Sequence, residues 1–212
     1  ILTDLGVWSD VETHACPISE VHVSEKGRFG TTRIQSEDYQ QSALGYVVPN
    51  QWLGRCLLSR VDALDIPLYA GVKVQQIIQG EKNKLVLTYS DDSVAKEQRI
   101  IETRLLIIAD GTDSSTAQKL GIVSACQHYA QHAIITNVTT EFSNKGTAFE
   151  RFTAKGPLAM LPLSEYQCAV VWTHEQSEVS DHLEMDDEAF CRAIEESFGE
   201  RLGKIEQCGQ RA

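Results

Sequence analysis

RLLIIADGTDSST, residues 104–116, is an apolar run that ends abruptly at Asp110-Gly111 and then turns polar. Leu105–Ala109 lacks the polar alternation of a half-exposed strand, so it reads as a strand buried on both faces, as in the parallel sheet of an α/β domain. Asp-Gly is a common turn pair, because Asp bonds nearby backbone and Gly takes left-handed angles at no steric cost. The same pair at the carboxyl end of a central strand faces the crevice in which open α/β sheets bind ligands. There Gly111 lets the backbone approach a ligand, and the Asp110 carboxylate can accept a bond from a hydroxyl or a water. Local chemistry leaves both readings, turn and ligand site, open. Ser114 or Ser115 then starts a short helix that Gly121 ends.

Upstream, three strand-like runs, Val72–Ile78, Leu85–Tyr89 and Arg99–Thr103, are separated by the turn-forming sets Gly80–Asn83 and Ser90–Ser93 and read as a meander. Before them, Asn50 is placed to cap a helix carrying Leu53, Leu57, Val61 and Leu64 on one face, which Pro67 bounds. Val21 and Val23 alternate with His22 and Ser24, and Glu25–Arg28 supplies turn chemistry before Thr31–Ile34, which predicts a hairpin. Downstream of about Ala125, Ala133–Val138, Ala148–Phe152, Leu158–Leu163 and Cys168–Thr173 read as strands. Asp186 or Asp187 then opens one helix with Phe190, Ile194 and Phe198 on a face, closed by Gly199. Strands followed by a helix suggest an antiparallel α+β layer distinct from the preceding segment.

The 212 residues, 42% of them apolar, suffice for a hydrophobic core without disulfide or metal support. A net charge of -11 repels nucleic-acid phosphates and anionic membrane surfaces, which argues against nucleic-acid binding. No apolar stretch approaches a membrane span, the N-terminus lacks the basic start and apolar core of a signal peptide, and a cytoplasmic location is expected. The six cysteines form no C-x-x-C pair and are expected as free thiols. The chain begins at Ile1 and stops without a terminating motif, so it is expected to be an internal piece of a longer protein.

The glycines form no G-x-G-x-x-G or Walker loop, and there is no G-x-S-x-G elbow for a serine nucleophile. His128 and His132 are four apart but lack an accompanying carboxylate, so no metal site is expected. Glu184, Asp186, Asp187 and Glu188 suit a solvated helix N-terminus, where negative charge meets the helix dipole.

The stretch IIADGTDSSTAQKLGI resembles the second flavin motif of the flavoprotein aromatic hydroxylases, a strand ending in A-D-G before a serine-rich helix start. GVWSDVETHACPISEVHVSEKG, EDYQQSALGYVV and GTAFERFTAKGPLAMLPLSEYQCAVVWTHE match the ubiquinone-biosynthesis branch of that family, in the same order and with similar spacing. DDEAFCRAIEESFGERLGKI adds support near the end. The resemblance covers most of the chain.

It implies a p-hydroxybenzoate-hydroxylase-like α+β and α/β fold: a substrate-domain mixed sheet with helices, and an incomplete Rossmann-type FAD domain. The expected division is 1–47 (substrate-domain segment), 48–124 (partial FAD-binding domain) and 125–212 (substrate-binding domain, packing with 1–47). The implied cofactors are FAD and NAD(P)H. Oxygen activated at the reduced flavin is transferred to an electron-rich phenol, and the protein positions the ring, excludes water and favours the phenolate.

Carried onto this sequence, Asp110 and Gly111 match the motif contacting the FAD pyrophosphate and ribose. Arg55 falls where the family places a polar side chain near the ribitol or phosphate. Pro49 replaces the acidic residue common before Asn50, which unsettles the start of that helix. Gly156, Pro157, Leu158 and Met160 belong to the substrate-domain strand, as cavity lining or as plain core; the catalytic residues are not readable. The family's N-terminal glycine-rich unit and its later flavin segment are absent, so this chain alone is expected to bind FAD weakly and to be inactive.

The implied partners are a prenylated phenol, O2 and other ubiquinone-biosynthesis proteins, through which the protein would sit peripherally at the inner membrane. The family often oligomerises, though the state is not legible. A non-catalytic module that binds a prenylated aromatic or a protein partner on the same sheet is the competing reading.

Overall fold

The structure is a computed structural model that describes residues 1–80, 83–89 and 98–212, with backbone only for 83–89 and 98–99. It divides into two compact units: Ile1–Ala63 with His128–Ala212, and Leu64–Gln127. The sequence-based divisions at 47/48 and 124/125 stand beside these, and the helix after Pro49 groups with the first unit.

In chain order the first unit begins with α1 (Trp8–Glu12), β1 (Cys16–Ile18), β2 (Glu20–Glu25), β3 (Thr31–Gln35), β4 (Gly45–Val47) and α2 (Asn50–Ala63). The second unit holds β5 (Val72–Ile78), β6 (Asn83–Tyr89), β7 (Gln98–Thr103) and α3 (Ser115–Lys119). The chain then re-enters the first unit with β8 (Gln131–Thr140), β9 (Thr147–Phe152), β10 (Pro157–Pro162), β11 (Gln167–Glu175), α4 (Gln176–Glu184), α5 (Asp187–Phe198) and β12 (Ile205–Cys208).

The first unit is built on a seven-stranded sheet in the order β12-β8-β11-β10-β9-β2-β3. Every neighbouring pair is antiparallel except β2 with β9, so the sheet is mixed. The predicted hairpin is the edge pair β2–β3, aligning Val21 with Ile34 and Val23 with Thr32. Successive strand residues point to opposite faces, and one face is fully committed. Ile134, Val138, Leu158, Met160, Val170 and Trp172 pack there under Phe190, Ile194 and Phe198 of α5, all at 5% exposure or less. Those α5 residues recur every four positions and form the predicted stripe. Asp186 caps α5 by accepting from Ala189 N–H at 2.7 Å, and Gly199 at φ 88° donates back to the Glu195 carbonyl at 2.7 Å. Arg211 lies over the Phe190 ring at 4.5 Å, pairs with Asp187 and donates to the Leu183 and Met185 carbonyls, tying the chain's last residues to both helices.

A second, smaller core joins α1 to α2: Val7 and Val11 meet Cys56, with Trp8, Leu53 and Leu57 packed around them. Asn50 is the first residue of α2 rather than its cap. The Pro49 carbonyl accepts from Trp52 and Leu53 instead, at 2.9 and 3.1 Å.

In the second unit, the meander forms as the antiparallel sheet β5-β6-β7. The turn residues expected at 81–82 and 90–93 lie outside the described residues.

Three further expectations are corrected. Leu105–Ala109 is not a buried strand: it pairs with no strand among the described residues, and Leu105 and Ile107 are 72% and 77% exposed. An apolar run specifies burial only when partner strands flank it, and the run itself cannot report whether they are there. Cys191 and Cys208 are not free thiols but a disulfide linking α5 to β12, with Cα atoms 6.3 Å apart. The fold brings them together across 17 residues, a spacing that marks no motif. The third section also contains α4 and β12, which the reading of one closing helix omitted. Cys168 does behave as a small hydrophobe, and burial pushes its thiol up to about 11. Among the described residues no helix is long and apolar enough to cross a membrane.

His174, 2% exposed at the end of β11, has no hydrogen-bond partner on either ring nitrogen among the described residues. The His182 ring lies 4.0 Å away, Glu178 Oε2 is 3.9 Å from Nδ1, and Lys155 pairs with Glu178. Burial first, then the neighbouring His182, pulls His174 from 6.5 down to about 4. The folded state therefore favours neutral His174, while the unfolded chain takes up a proton below about 6.5. The expected outcome is stability that falls as pH drops from 6.5 towards 4, by on the order of 3 kcal/mol in urea titrations. The substitution His174→Phe should flatten that slope; an unchanged slope would assign the acid sensitivity elsewhere.

Candidate functional site

Asp110 and Gly111 sit at the turn before α3. Gly111 takes φ +94°, and a Cβ placed there would meet nothing within 4 Å among the described residues. Asp110 is exposed, and hydrogen bonds from Ser114 first and then Thr116 hold its carboxyl below the usual carboxylate range. Ser114 also caps α3, accepting from Ala117 N–H at 2.9 Å. The serine-rich start thus fixes both the helix and an ionised Asp110, presented to solvent as an acceptor.

Arg55 belongs to the other unit, exposed on α2 with its guanidinium carbon 5.4 Å from the centre of the Trp52 ring. Trp52 is itself held between elements: its indole N–H donates to the Asp10 carbonyl at 3.1 Å, and its ring stacks on His14 at 3.6 Å. A planar cation resting on an anchored aromatic loses little freedom when it binds a polar or anionic group.

The sheet of the first unit supplies a different kind of surface. Leu158 and Met160 are 0% exposed and face α5, so their side chains belong to the core. Pro157, Ala159 and Leu161 point the other way and are half-exposed. Register extends this second face across the sheet. Ala159 aligns with Val171 on β11 and Glu150 on β9, Val171 with Ile135 on β8, and Glu150 with Val23 on β2. This middle row runs Ile135, Val171, Ala159, Glu150, Val23: a floor of small and branched apolar groups with one carboxylate. Ile135 and Phe152 on the same face are 52% and 48% exposed, since among the described residues no helix core covers them as α5 covers the other side.

Glu150 was not legible as a site residue. Its only signal in the sequence is alternation, since Ala148, Glu150 and Phe152 share a face while Phe149 and Arg151 face α5. Half-buried, its side chain makes no hydrogen bond or ion pair among the described residues, and burial alone lifts its carboxyl above the usual range.

Gly156 has a packing reason. A Cβ there would stand 2.7 Å from the Thr173 carbonyl oxygen, so the β9–β10 turn closes against β11 only with glycine. On the α5 side, a groove of about 480 Å³ is lined by His22, Arg33, Asn144, Lys145 and Arg201, with Arg201 donating to the His22 ring.

Comparison with known proteins gives the family and the fold. The family described as FAD binding domain matches residues 1–209. Ubiquinone hydroxylase UbiL of Rhodospirillum rubrum is 28% identical over 212 residues, covering 100% of this chain and 48% of the relative. The mitochondrial ubiquinone biosynthesis monooxygenase COQ6 of Danio rerio is 28% identical over 207 residues, covering 93% of this chain and 42% of the relative. The chain therefore spans less than half the length of both. Among solved structures, the flavin-dependent halogenase CmlS superposes with TM-score 0.76 at 16% identity, over 100% of this chain and 40% of that one. The p-nitrophenol 4-monooxygenase PnpA of Pseudomonas putida gives 0.73 at 14%, over 100% and 54%. These likenesses establish the p-hydroxybenzoate-hydroxylase-like fold, a mixed sheet with helices.

The close approach at Gly156 generates a direct check. Gly156→Ala should lower unfolding stability by about 1–3 kcal/mol, because the methyl group must displace backbone. Leu158→Ala, at an enclosed position, should cost about 2–5 kcal/mol. Chemical denaturation measures both, and a neutral Gly156→Ala would mean that the turn has room to move.

Proposed function

The chain belongs to the FAD binding domain family, and from that premise we propose that it forms part of a flavin- and NAD(P)H-dependent monooxygenase that hydroxylates a polyprenylated phenol in ubiquinone biosynthesis. The specific reaction favoured is that of 2-octaprenyl-6-methoxyphenol hydroxylase. The relatives are about twice as long as this chain, so activity, substrate and partners all belong to the proposal. The observation that carries it is the open sheet face: an apolar floor of Ile135, Val171, Ala159 and Val23, wide enough for an aromatic ring, interrupted by a single carboxylate.

The residues present fit the cofactor by their chemistry. Asp110, ionised and exposed, suits the sugar or ribityl hydroxyls of FAD and would repel the pyrophosphate unless a water intervenes. Gly111 leaves room for close backbone approach. Arg55 on its Trp52 platform suits a phosphate or ribityl oxygen. Bound FAD supplies the redox chemistry that activates oxygen. The apolar face holds the phenol ring and keeps water from it. The proposed substrate-binding set is thus Gly156 and Pro157 with the outward-facing Ala159 and Leu161, while Leu158 and Met160 support the strand from beneath.

A polyprenyl tail is very insoluble, and the net charge of -11 disfavours direct contact with anionic lipid. Delivery through other proteins of the pathway fits that charge.

Two measurements test the reading. In the full-length protein, Asp110→Ala and Arg55→Ala should each weaken FAD retention by about tenfold or more, as expected for losing a charged hydrogen-bond partner; wild-type flavin content in both would remove these residues from the cofactor site. Deleting the gene should cause a polyprenylated phenol lacking one ring hydroxyl to accumulate, detected by mass spectrometry of lipid extracts. An unchanged quinone profile would overturn the pathway assignment.

A further inference from the structure

We propose that Arg28, Arg151 and Arg201 form a phosphate-binding site on the α5 side of the first unit, taking the phosphate group of a small ester or of a lipid headgroup. It is independent of the phenol reading, which concerns the opposite face of the sheet. A groove of about 360 Å³ opens where the β2–β3 turn, the end of β9 and the turn Glu200–Leu202 after α5 meet, and each contributes one of the arginines. Ser24 and Thr31 add hydroxyls to its wall, and Phe29 stands there fully exposed. The volume suits a small ligand, since such sites run from about 300 to 1,000 Å³.

Charge singles out this groove. The chain carries -11 overall, yet the lining here holds three guanidiniums and one carboxylate. That carboxylate, Glu25, is already paired with Arg28 at 2.8 Å. Among the described residues Arg151 and Arg201 have no carboxylate partner, and the groups they bond are neutral. Arg151 donates from Nε to the Ser197 carbonyl at 3.1 Å and from Nη1 to Ser24 Oγ at 3.4 Å. Arg201 donates from Nη1 to Nε2 of His22, a side chain 2% exposed. Burial first and the Arg201 charge second lower the His22 pKa, which suits a neutral ring accepting that bond. These contacts hold each planar fork without cancelling its charge. A guanidinium has five N–H donors, so both arginines keep donors for a ligand.

The two forks also act on each other. Burial first and the Arg201 charge second lower the Arg151 pKa, so the pair is close enough for repulsion to be felt. An oxyanion between them turns that repulsion into two attractions. Phosphate matches the donors, because a tetrahedral oxyanion accepts parallel N–H bonds from one fork and still offers oxygens to another. The neighbouring groove beside His22 suits an anion less. Glu20 and Glu37 line it together with Arg33 and Lys145, and Arg33 lies 3.8 Å from Glu20, so much of its positive charge is answered within the protein.

Calorimetric titration of the flavin-loaded full-length protein with glycerol 3-phosphate, in phosphate-free buffer of low ionic strength, tests the site. Wild type should bind the probe, and Arg28→Gln and Arg201→Gln should each weaken binding by about tenfold or more. Both side chains are exposed, so neither change removes packing from the core. Arg201→Lys keeps the charge but loses the fork and should fall between wild type and Arg201→Gln. Arg192→Gln, which removes an exposed charge elsewhere on α5, should bind as wild type does. Co-sedimentation with vesicles then identifies the carrier of the phosphate. Phosphatidic acid in phosphatidylcholine that sediments wild type but not Arg201→Gln assigns it to a lipid headgroup; glycerol 3-phosphate binding without such sedimentation assigns it to a soluble ester. The site is overturned if no Arg201-dependent sedimentation occurs and glycerol 3-phosphate either fails to bind wild type, binds Arg28→Gln and Arg201→Gln within about threefold of wild type, or is weakened as much by Arg192→Gln.

Discussion

The structure depends on the unequal treatment of the two faces of one sheet. Strand alternation gives the seven-stranded sheet two surfaces. One is closed by Phe190, Ile194 and Phe198 of α5 over Leu158, Met160, Val170 and Trp172. With that face closed, the strands β8 to β11 have fixed register and the opposite face is presented as a stable floor. A one-residue slip in β10 would exchange Leu158 and Met160 for Ala159 and Leu161, lose the core and the floor together, and so is strongly opposed. The two functions of the strand, packing and binding, are separated by parity.

Much of this was legible because it rests on local rules. The α5 stripe, the Asp186 cap, the Gly199 stop and the β2–β3 hairpin all follow from spacing and turn chemistry, and each has a counterpart in the structure. The meander of the second unit is equally local. What escaped is non-local. Cys191 and Cys208 meet only because β12 returns to the sheet beside β8, next to α5. Leu105–Ala109 reads as buried because apolar composition states a preference, whereas strand pairing needs neighbours that the run does not specify.

The candidate site shows the same division. Asp110-Gly111 stands out in the sequence because a turn pair after an apolar run is a local pattern, and the structure adds that hydrogen bonds from Ser114 and Thr116 hold its carboxyl below the usual range. In the strand GPLAMLPL, the family likeness identified the element but not which side chains face the open side. Burial sorts them: Leu158 and Met160 inward, Pro157, Ala159 and Leu161 outward. Glu150 stayed hidden because one glutamate in a strand is ordinary on a solvated face. Its meaning comes from cross-strand partners, Val23 and Ala159, that lie far from it in sequence or across a turn.

The central claim is that the outward face of this sheet, and not the groove beside His22 and Arg201, receives an aromatic ring. Methyl-labelled NMR of the flavin-loaded full-length protein, titrated with a short-chain prenylated phenol, tests it most directly. The account predicts chemical-shift changes concentrated at the Ala159, Leu161, Val171 and Val23 methyls, with Leu158, Met160 and Val170 changing little. Shifts confined to the α5 side, or absent from the outward methyls at saturating ligand, would contradict it.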